Sequence, residues 1–182
     1  MDIYLVRHGE AATDWGKSSD PGLSELGREQ ARDTATDLLT LLPDNVSLLS
    51  SPLLRARETA QALAELMDKP VVVDDTYREI PARVALTERK AWLGAFMAGE
   101  WSDQPDYLIA WRDALHQELA LLPNTTVIFS HFLAINAIVG KLTDRSETVC
   151  FYPDNASVTH FKISNGQLEL ASLGQQMQTV VN

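Results

Sequence analysis

Ile3-Tyr4-Leu5-Val6-Arg7-His8-Gly9-Glu10 is a run of bulky side chains that passes into a charged pair and breaks at a glycine. Such a run suits a buried strand feeding a loop, which puts Arg7 and His8 where the strand stops. Further along, Asp20-Pro21-Gly22 marks a turn and Ser24 is a candidate N-cap. Ala31, Ala35, Leu38, Leu39 and Leu42 then recur at helical spacing up to Pro43. Residues 46–49 read as a second strand. Behind it, Ser51-Pro52 offers a capping hydroxyl and a proline for the first helical position, opening a helix with Ala56, Thr59, Ala60, Leu63 and Met67 on one face. Val71-Val72-Val73 reads as a third strand. Val127-Ile128-Phe129 reads as a fourth, running into Ser130-His131 and an apolar helix at about 134–142. Strands alternating with helices predict an α/β class, with right-handed crossovers, a largely parallel sheet and helices on both faces. Residues 158–163 and 168–173, separated by Ser164-Asn165-Gly166, are expected to form a hairpin at the sheet edge.

Two more helices are expected between Thr87 and Leu122, as a small cap inserted at about 80–123. No repeat or linker divides the chain, so 1–182 is read as a single domain, which suits 182 residues with 45% hydrophobic side chains. A formal net charge of −10 argues against nucleic-acid and anionic-membrane partners, so an anionic substrate must meet a local cluster of positive charge. There is no apolar stretch of bilayer length and no signal-like leader, and Cys150 is the only cysteine. A soluble, unprocessed, cytoplasmic protein is the expectation.

Chemistry is expected where strands end. His8 and His131 each follow an expected parallel strand, and open α/β sheets bind ligands beyond the carboxyl ends of their strands. Arg7 directly after a buried strand is costly unless its guanidinium meets an anion, and its planar fork suits phosphate oxygens. Arg55, read as lying in the first turn of the helix capped by Ser51, could supply a second clamp. Asp74-Asp75 and Asp103/Asp106 have no histidine spaced for a metal site, so neither a metal nor any other cofactor is expected.

Arg7-His8-Gly9-Glu10, Leu23-Ser24-x-x-Gly27-x-x-Gln30-Ala31, Ser51-Pro52-Leu53-x-Arg55-Ala56-x-x-Thr59-Ala60 and Ser130-His131 together resemble the histidine phosphatase superfamily, also called phosphoglycerate-mutase-like. Asn155-Ala156-Ser157 is similar to that family's late turn entering a strand. The resemblance implies a three-layer α/β/α fold and a metal-free phosphohistidine intermediate. It makes His8 the nucleophile, Arg7 and Arg55 the phosphate clamp, and His131 the second histidine on the phosphoryl group. Glu79 takes the place of the proton donor, with Glu10 and Glu88 as the other candidates and a solvated loop carboxylate as the competing reading of Glu79. The carboxyl pKa has to sit near the working pH. Burial would raise it and the arginines would lower it.

The chain departs from the family at several places. Phe132 stands where glycine commonly follows the second histidine, and its ring either lines the substrate pocket or turns into the helix packing. Glu10 is a further candidate for the pocket. Ile80-Pro81-Ala82-Arg83-Val84 replaces a glycine-rich, tryptophan-containing stretch, Ala11 replaces a frequent hydroxyl residue, and Trp15 is out of register with the mutases' tryptophan. Trp92, Phe96, Trp101, Tyr107 and Trp111 either line a cleft or form core. The reading is a phosphomonoesterase acting on a small phosphorylated metabolite. The alternatives are a protein phosphohistidine phosphatase, a phosphoglycerate mutase-type phosphotransferase and a catalytically weak phosphate-binding regulator, with a metal-dependent hydrolase last. No protein partner is specified.

Overall fold

A computed structural model describes residues 1–13 and 20–177. Six strands, β1 (Asp2–Arg7), β2 (Ser47–Ser50), β3 (Val71–Val73), β4 (Thr126–Ser130), β5 (Val158–Ser164) and β6 (Gln167–Ser172), form one mixed sheet in the order β3-β2-β4-β1-β5-β6. The first four in that order are parallel to one another, while β5 and β6 run antiparallel at one edge. Five α-helices accompany them: α1 (Glu25–Leu39), α2 (Leu54–Met67), α3 (Arg89–Met97), α4 (Asp106–Ala120) and α5 (Phe132–Leu142). The architecture is the expected α/β fold. Among the described residues, no helix is long and apolar enough to cross a membrane.

Alternation along the strands assigns the layers, because successive side chains point to opposite faces. On one face Ile3, Leu5 and Ile128 pack with Leu108, Leu115 and Leu119 of α4 and Leu133, Ile135 and Ile138 of α5. On the other, Val6, Leu48, Val127 and Phe129 pack with Leu38 of α1 and Ala56, Ala60 and Leu63 of α2. β4 lies between β1 and β2 and is buried at every residue, which accounts for its unbroken apolar run. Phe96 and Trp101 are buried in the first cluster, and Trp92, Tyr107 and Trp111 pack against it, so these aromatics serve as core. The β5–β6 turn places Asn165 and Gly166 at φ 53° and 76°, the left-handed pair that a two-residue hairpin requires.

Two helix starts differ from the sequence reading. α5 begins at Phe132, two residues early, because His131 is extended and takes the N-cap position. α2 begins at Leu54, and Ser51-Pro52 lies outside it. Ser51 Oγ meets His131 Nε2 at 2.7 Å and accepts the N–H of the N-cap residue Leu53 at 3.3 Å, ahead of the helix rather than inside its first turn. The Leu54 N–H is satisfied instead by Asp20 Oδ1 at 2.8 Å, from the loop that precedes α1.

The Arg7-to-Glu10 segment crosses the first turn of α1 backbone against backbone. A Cβ at Gly9 would lie 2.4 Å from the Gly27 carbonyl oxygen, and one at Gly27 would lie 2.1 Å from the Glu10 carbonyl oxygen. Neither neighbour is a flexible side chain, so the backbones would have to separate. Gly27→Ala is expected to lower stability by about 2–4 kcal/mol, read as a fall in melting temperature. An unchanged melting temperature would mean that the two segments are not in contact.

Candidate active site

Three parallel strands deliver the site. β4 sets Ser130 beside Arg7 of β1 and Phe129 beside Ser50 of β2, so His8, Ser51 and His131 leave neighbouring strand ends together. The backbone holds them in place. His8 N–H donates to the Ser130 carbonyl at 3.0 Å, Arg7 N–H to the Ser157 carbonyl at 3.1 Å, and Ala156 N–H to the His8 carbonyl at 3.3 Å. Gly9 N–H donates to Thr59 Oγ1 at 3.1 Å, tying the loop to α2.

His8 is 4% exposed, and its Nδ1 lies 2.7 Å from the Gly9 carbonyl oxygen. A carbonyl can only accept, so Nδ1 carries the proton and Nε2 holds a lone pair. That lone pair accepts Arg55 Nε–H at 3.0 Å. Burial, reinforced by Arg55 and, less, by Arg7 and opposed by the Gly9 carbonyl, pushes the His8 pKa down to about 3. The ring is therefore neutral at physiological pH. His131 lies edge-on to it, with ring centroids 5.2 Å apart. Its Nε2 meets Ser51 Oγ, and its buried Nδ1 has no partner among the described residues. Burial, then the nearness of His8 and Arg55, holds His131 well below the usual histidine value.

Arg7 Nη1 donates to the Pro153 carbonyl at 2.8 Å, and its Nε has no partner among the described residues. The Arg55 guanidinium lies 3.9 Å from Asp20 Oδ1. Burial lowers both guanidinium pKa values, but arginine keeps its proton in proteins. Glu79 follows the 3₁₀ turn Asp75–Tyr77, which Ser130 Oγ anchors to β4 through the Tyr77 carbonyl at 2.8 Å. The Glu79 carboxyl is 7% exposed and accepts Ile80 N–H at 3.0 Å and, at 3.5 Å, Leu133 N–H from the first turn of α5. Its pKa is raised. Burial outweighs the Ile80 N–H, Arg55, the Leu133 N–H and Arg7, which all pull the other way.

The structure thus gathers Arg7, His8, Arg55, Glu79 and His131. Phe132 also comes to the site: its buried ring lies 5.3 Å from the Arg7 guanidinium and packs against Tyr152. Glu10 turns elsewhere. Its carboxylate accepts from Ser24 Oγ at 2.7 Å and its N–H donates to Gln30 Oε1 at 2.8 Å, so it serves the start of α1. Glu88 is exposed at the head of α3, and Trp15 lies outside the described residues. The sequence reading missed Asp20 as the cap of α2 and the Pro153 carbonyl as the anchor of Arg7, both contacts between residues far apart in the chain. Among the described residues, no group of three His, Cys, Asp or Glu side chains is placed to hold a metal ion.

Burying two neutral histidines makes stability depend on pH. Unfolded, each binds a proton below about pH 6.5; folded, His8 does so only near 3 and His131 well below its usual value. The unfolded state therefore binds more protons in that window, and stability falls as pH drops below about 6.5. Glu79 acts oppositely, since its raised pKa lets the fold take up a proton before the unfolded chain does. Melts from about pH 8 to about pH 5 should show a decline below about 6.5, at most about 1.4 kcal/mol per pH unit for each histidine. His8→Asn should flatten that decline. A wild-type melting temperature that stays level across the range would exclude neutral buried histidines.

Comparison with known proteins now places the chain: the sequence model of the histidine phosphatase superfamily (branch 1) matches residues 3–176. The chain belongs to this superfamily. It is 33% identical over 115 residues to the glucosyl-3-phosphoglycerate phosphatase of Mycolicibacterium vanbaalenii, an alignment covering 61% of this chain and 47% of that relative. The chain thus spans about half the length of that relative. To a probable phosphoglycerate mutase of Erwinia tasmaniensis it is 28% identical over 162 residues, covering 78% and 74% of the two chains. Among solved structures, the phosphoserine phosphatase of Entamoeba histolytica, in complex with 3-phosphoglyceric acid, superposes with a TM-score of 0.75 at 26% identity, covering 96% of this chain and 97% of that one.

Proposed function

We propose that this histidine phosphatase is a metal-independent phosphomonoesterase that passes the phosphoryl group of a small phosphorylated metabolite through His8. The observation that carries the reading is the His8 Nε2 lone pair, fixed by the Gly9 carbonyl and faced by a buried guanidinium. A dianionic phosphoryl group entering beside it draws Arg55 away from Nε2 and onto its own oxygens, with Arg7 as the second clamp. The freed lone pair attacks phosphorus in line, while the guanidiniums stabilise charge on the equatorial oxygens. The P–O bond to the leaving group breaks, and Glu79, whose hold on a proton burial strengthens, gives its proton to the departing oxygen. The resulting Glu79 carboxylate takes a proton from water as that water attacks phosphohistidine. Phosphate leaves, and His8 is restored.

The relatives suggest where to look for the substrate, since glucosyl-3-phosphoglycerate, phosphoserine and 3-phosphoglyceric acid appear among their names. Each is a small phosphate monoester bearing a carboxylate. A panel of phosphorylated carboxylic acids, sugar phosphates and phosphohistidine peptide, assayed for released phosphate, tests the reading. Preferred turnover of a small monoester supports it, whereas transfer to a second phosphoglycerate in place of water marks a mutase. Vanadate binding with no turnover across the panel would leave only a phosphate-binding regulator. A cytoplasmic location belongs to the same reading, because small phosphorylated metabolites are intracellular.

A further inference from the structure

Ser51 is fully buried at the end of β2, with its hydroxyl 2.7 Å from His131 Nε2. The same oxygen accepts Leu53 N–H at 3.3 Å, and among the described residues His131 Nε2 is the only acceptor within reach of its proton. Two proton arrangements fit the short contact. If Nε2 carried the hydrogen, His131 would donate to Ser51, the serine proton would be buried with no acceptor, and Nδ1 would be a buried lone pair with no donor. If Ser51 donates, the hydroxyl is satisfied on both sides and one group is left over, an Nδ1–H. Buried polar groups left unpaired are costly, so the second arrangement is favoured.

We infer that Ser51 sets the tautomer of His131, fixing Nδ1 as the N–H that donates to a non-bridging oxygen of the transferred phosphoryl group. The inference rests on the reading of this pocket as a phosphoryl site. It gives the two neutral histidines opposite tasks. His8 has its Nδ1–H tied to the Gly9 carbonyl and presents an acceptor, the attacking lone pair. His131 has Nε2 tied to Ser51 and presents a donor. The donor needs no positive charge on the ring, so tautomer alone decides whether His131 attracts or repels a phosphate oxygen. A lone pair at Nδ1 would repel it. Ser51 is accordingly a positioning residue that acts through His131, and the β2–β4–β1 strand order brings it there from a segment read as a helix cap.

Long-range ¹H–¹⁵N correlation spectra of the imidazole nitrogens, assigned with a His131→Gln variant, test this without any turnover. The wild type should show His131 protonated on Nδ1, and inorganic phosphate should move that nitrogen's resonance. Ser51→Ala should shift the tautomer toward Nε2–H, weaken inorganic phosphate binding about tenfold and lower kcat/KM by about ten- to a hundredfold. Ser51→Thr, which keeps the hydroxyl, should recover the wild-type tautomer and most of the activity. An Nε2–H tautomer in the wild type would overturn the inference, as would a Ser51→Ala protein with unchanged tautomer and phosphate affinity. If Ser51→Ala does not fold, the wild-type and Ser51→Thr spectra decide. A phosphomonoesterase reading that failed would show instead as absent turnover with the His131 tautomer intact.

Discussion

His8→Ala is expected to lower phosphate release by at least about a thousandfold, because it removes the group proposed to form the covalent bond, and what remains is binding and charge stabilisation. The wild type, quenched during turnover, should carry phosphate in a linkage labile to acid and stable to alkali, and the variant should carry none. In the proposed mechanism Arg7 and Arg55 take the part a metal ion would otherwise play, so EDTA should leave wild-type activity unchanged. Activity in His8→Ala near the wild-type level would sink the mechanism. Activity that collapsed in EDTA and returned with a divalent ion would point to the metal-dependent alternative.

Glu79→Gln has the next largest expected effect, a fall in kcat of about 10²- to 10⁴-fold on an alkyl phosphate. The amide keeps an oxygen to accept Ile80 N–H, so the loss reports proton transfer more than packing. With an aryl phosphate, whose leaving group needs no proton, the first step should survive while hydrolysis of phosphohistidine stalls, giving a burst of phenol and an accumulating phosphoenzyme. The pH profile carries a second signature. Because the Glu79 pKa is raised, wild-type activity on an alkyl phosphate should decline as pH rises through that value, and the glutamine variant should lose this limb. Glu88→Gln, at an exposed position, should stay within about twofold of wild type. An alkyl phosphatase rate that survived Glu79→Gln would move the donor role elsewhere.

How much of this was legible in the sequence follows from the range of the forces involved. The β1 run, the helical repeats and the Asn165-Gly166 turn are set by side-chain alternation and local backbone preference, and the structure reproduces them. Arg7, His8 and His131 could be marked because residues at the ends of parallel strands must converge, and Arg55 because it lies in the first turn of the helix that follows β2. Ser51 could not be read correctly, because Ser-Pro before a helix looks the same whether the hydroxyl caps that helix or meets a histidine from another strand. Asp20 was hidden for the same reason, since its contact with Leu54 spans a strand and a helix.

The sequence by itself determined the α/β class and the family and marked the candidate residues, since these depend on residue type and short-range periodicity. Only the tertiary structure decided the protonation state of the site. The neutral state of His8, the orphaned Nδ1 of His131 and the raised Glu79 carboxyl are sums of burial, charges and hydrogen bonds contributed by several separate elements. The surroundings of Phe132 depend on tertiary contacts in the same way. Its ring is buried against Arg7 and Tyr152, a three-body packing among β1, α5 and the loop before β5 that no local pattern encodes.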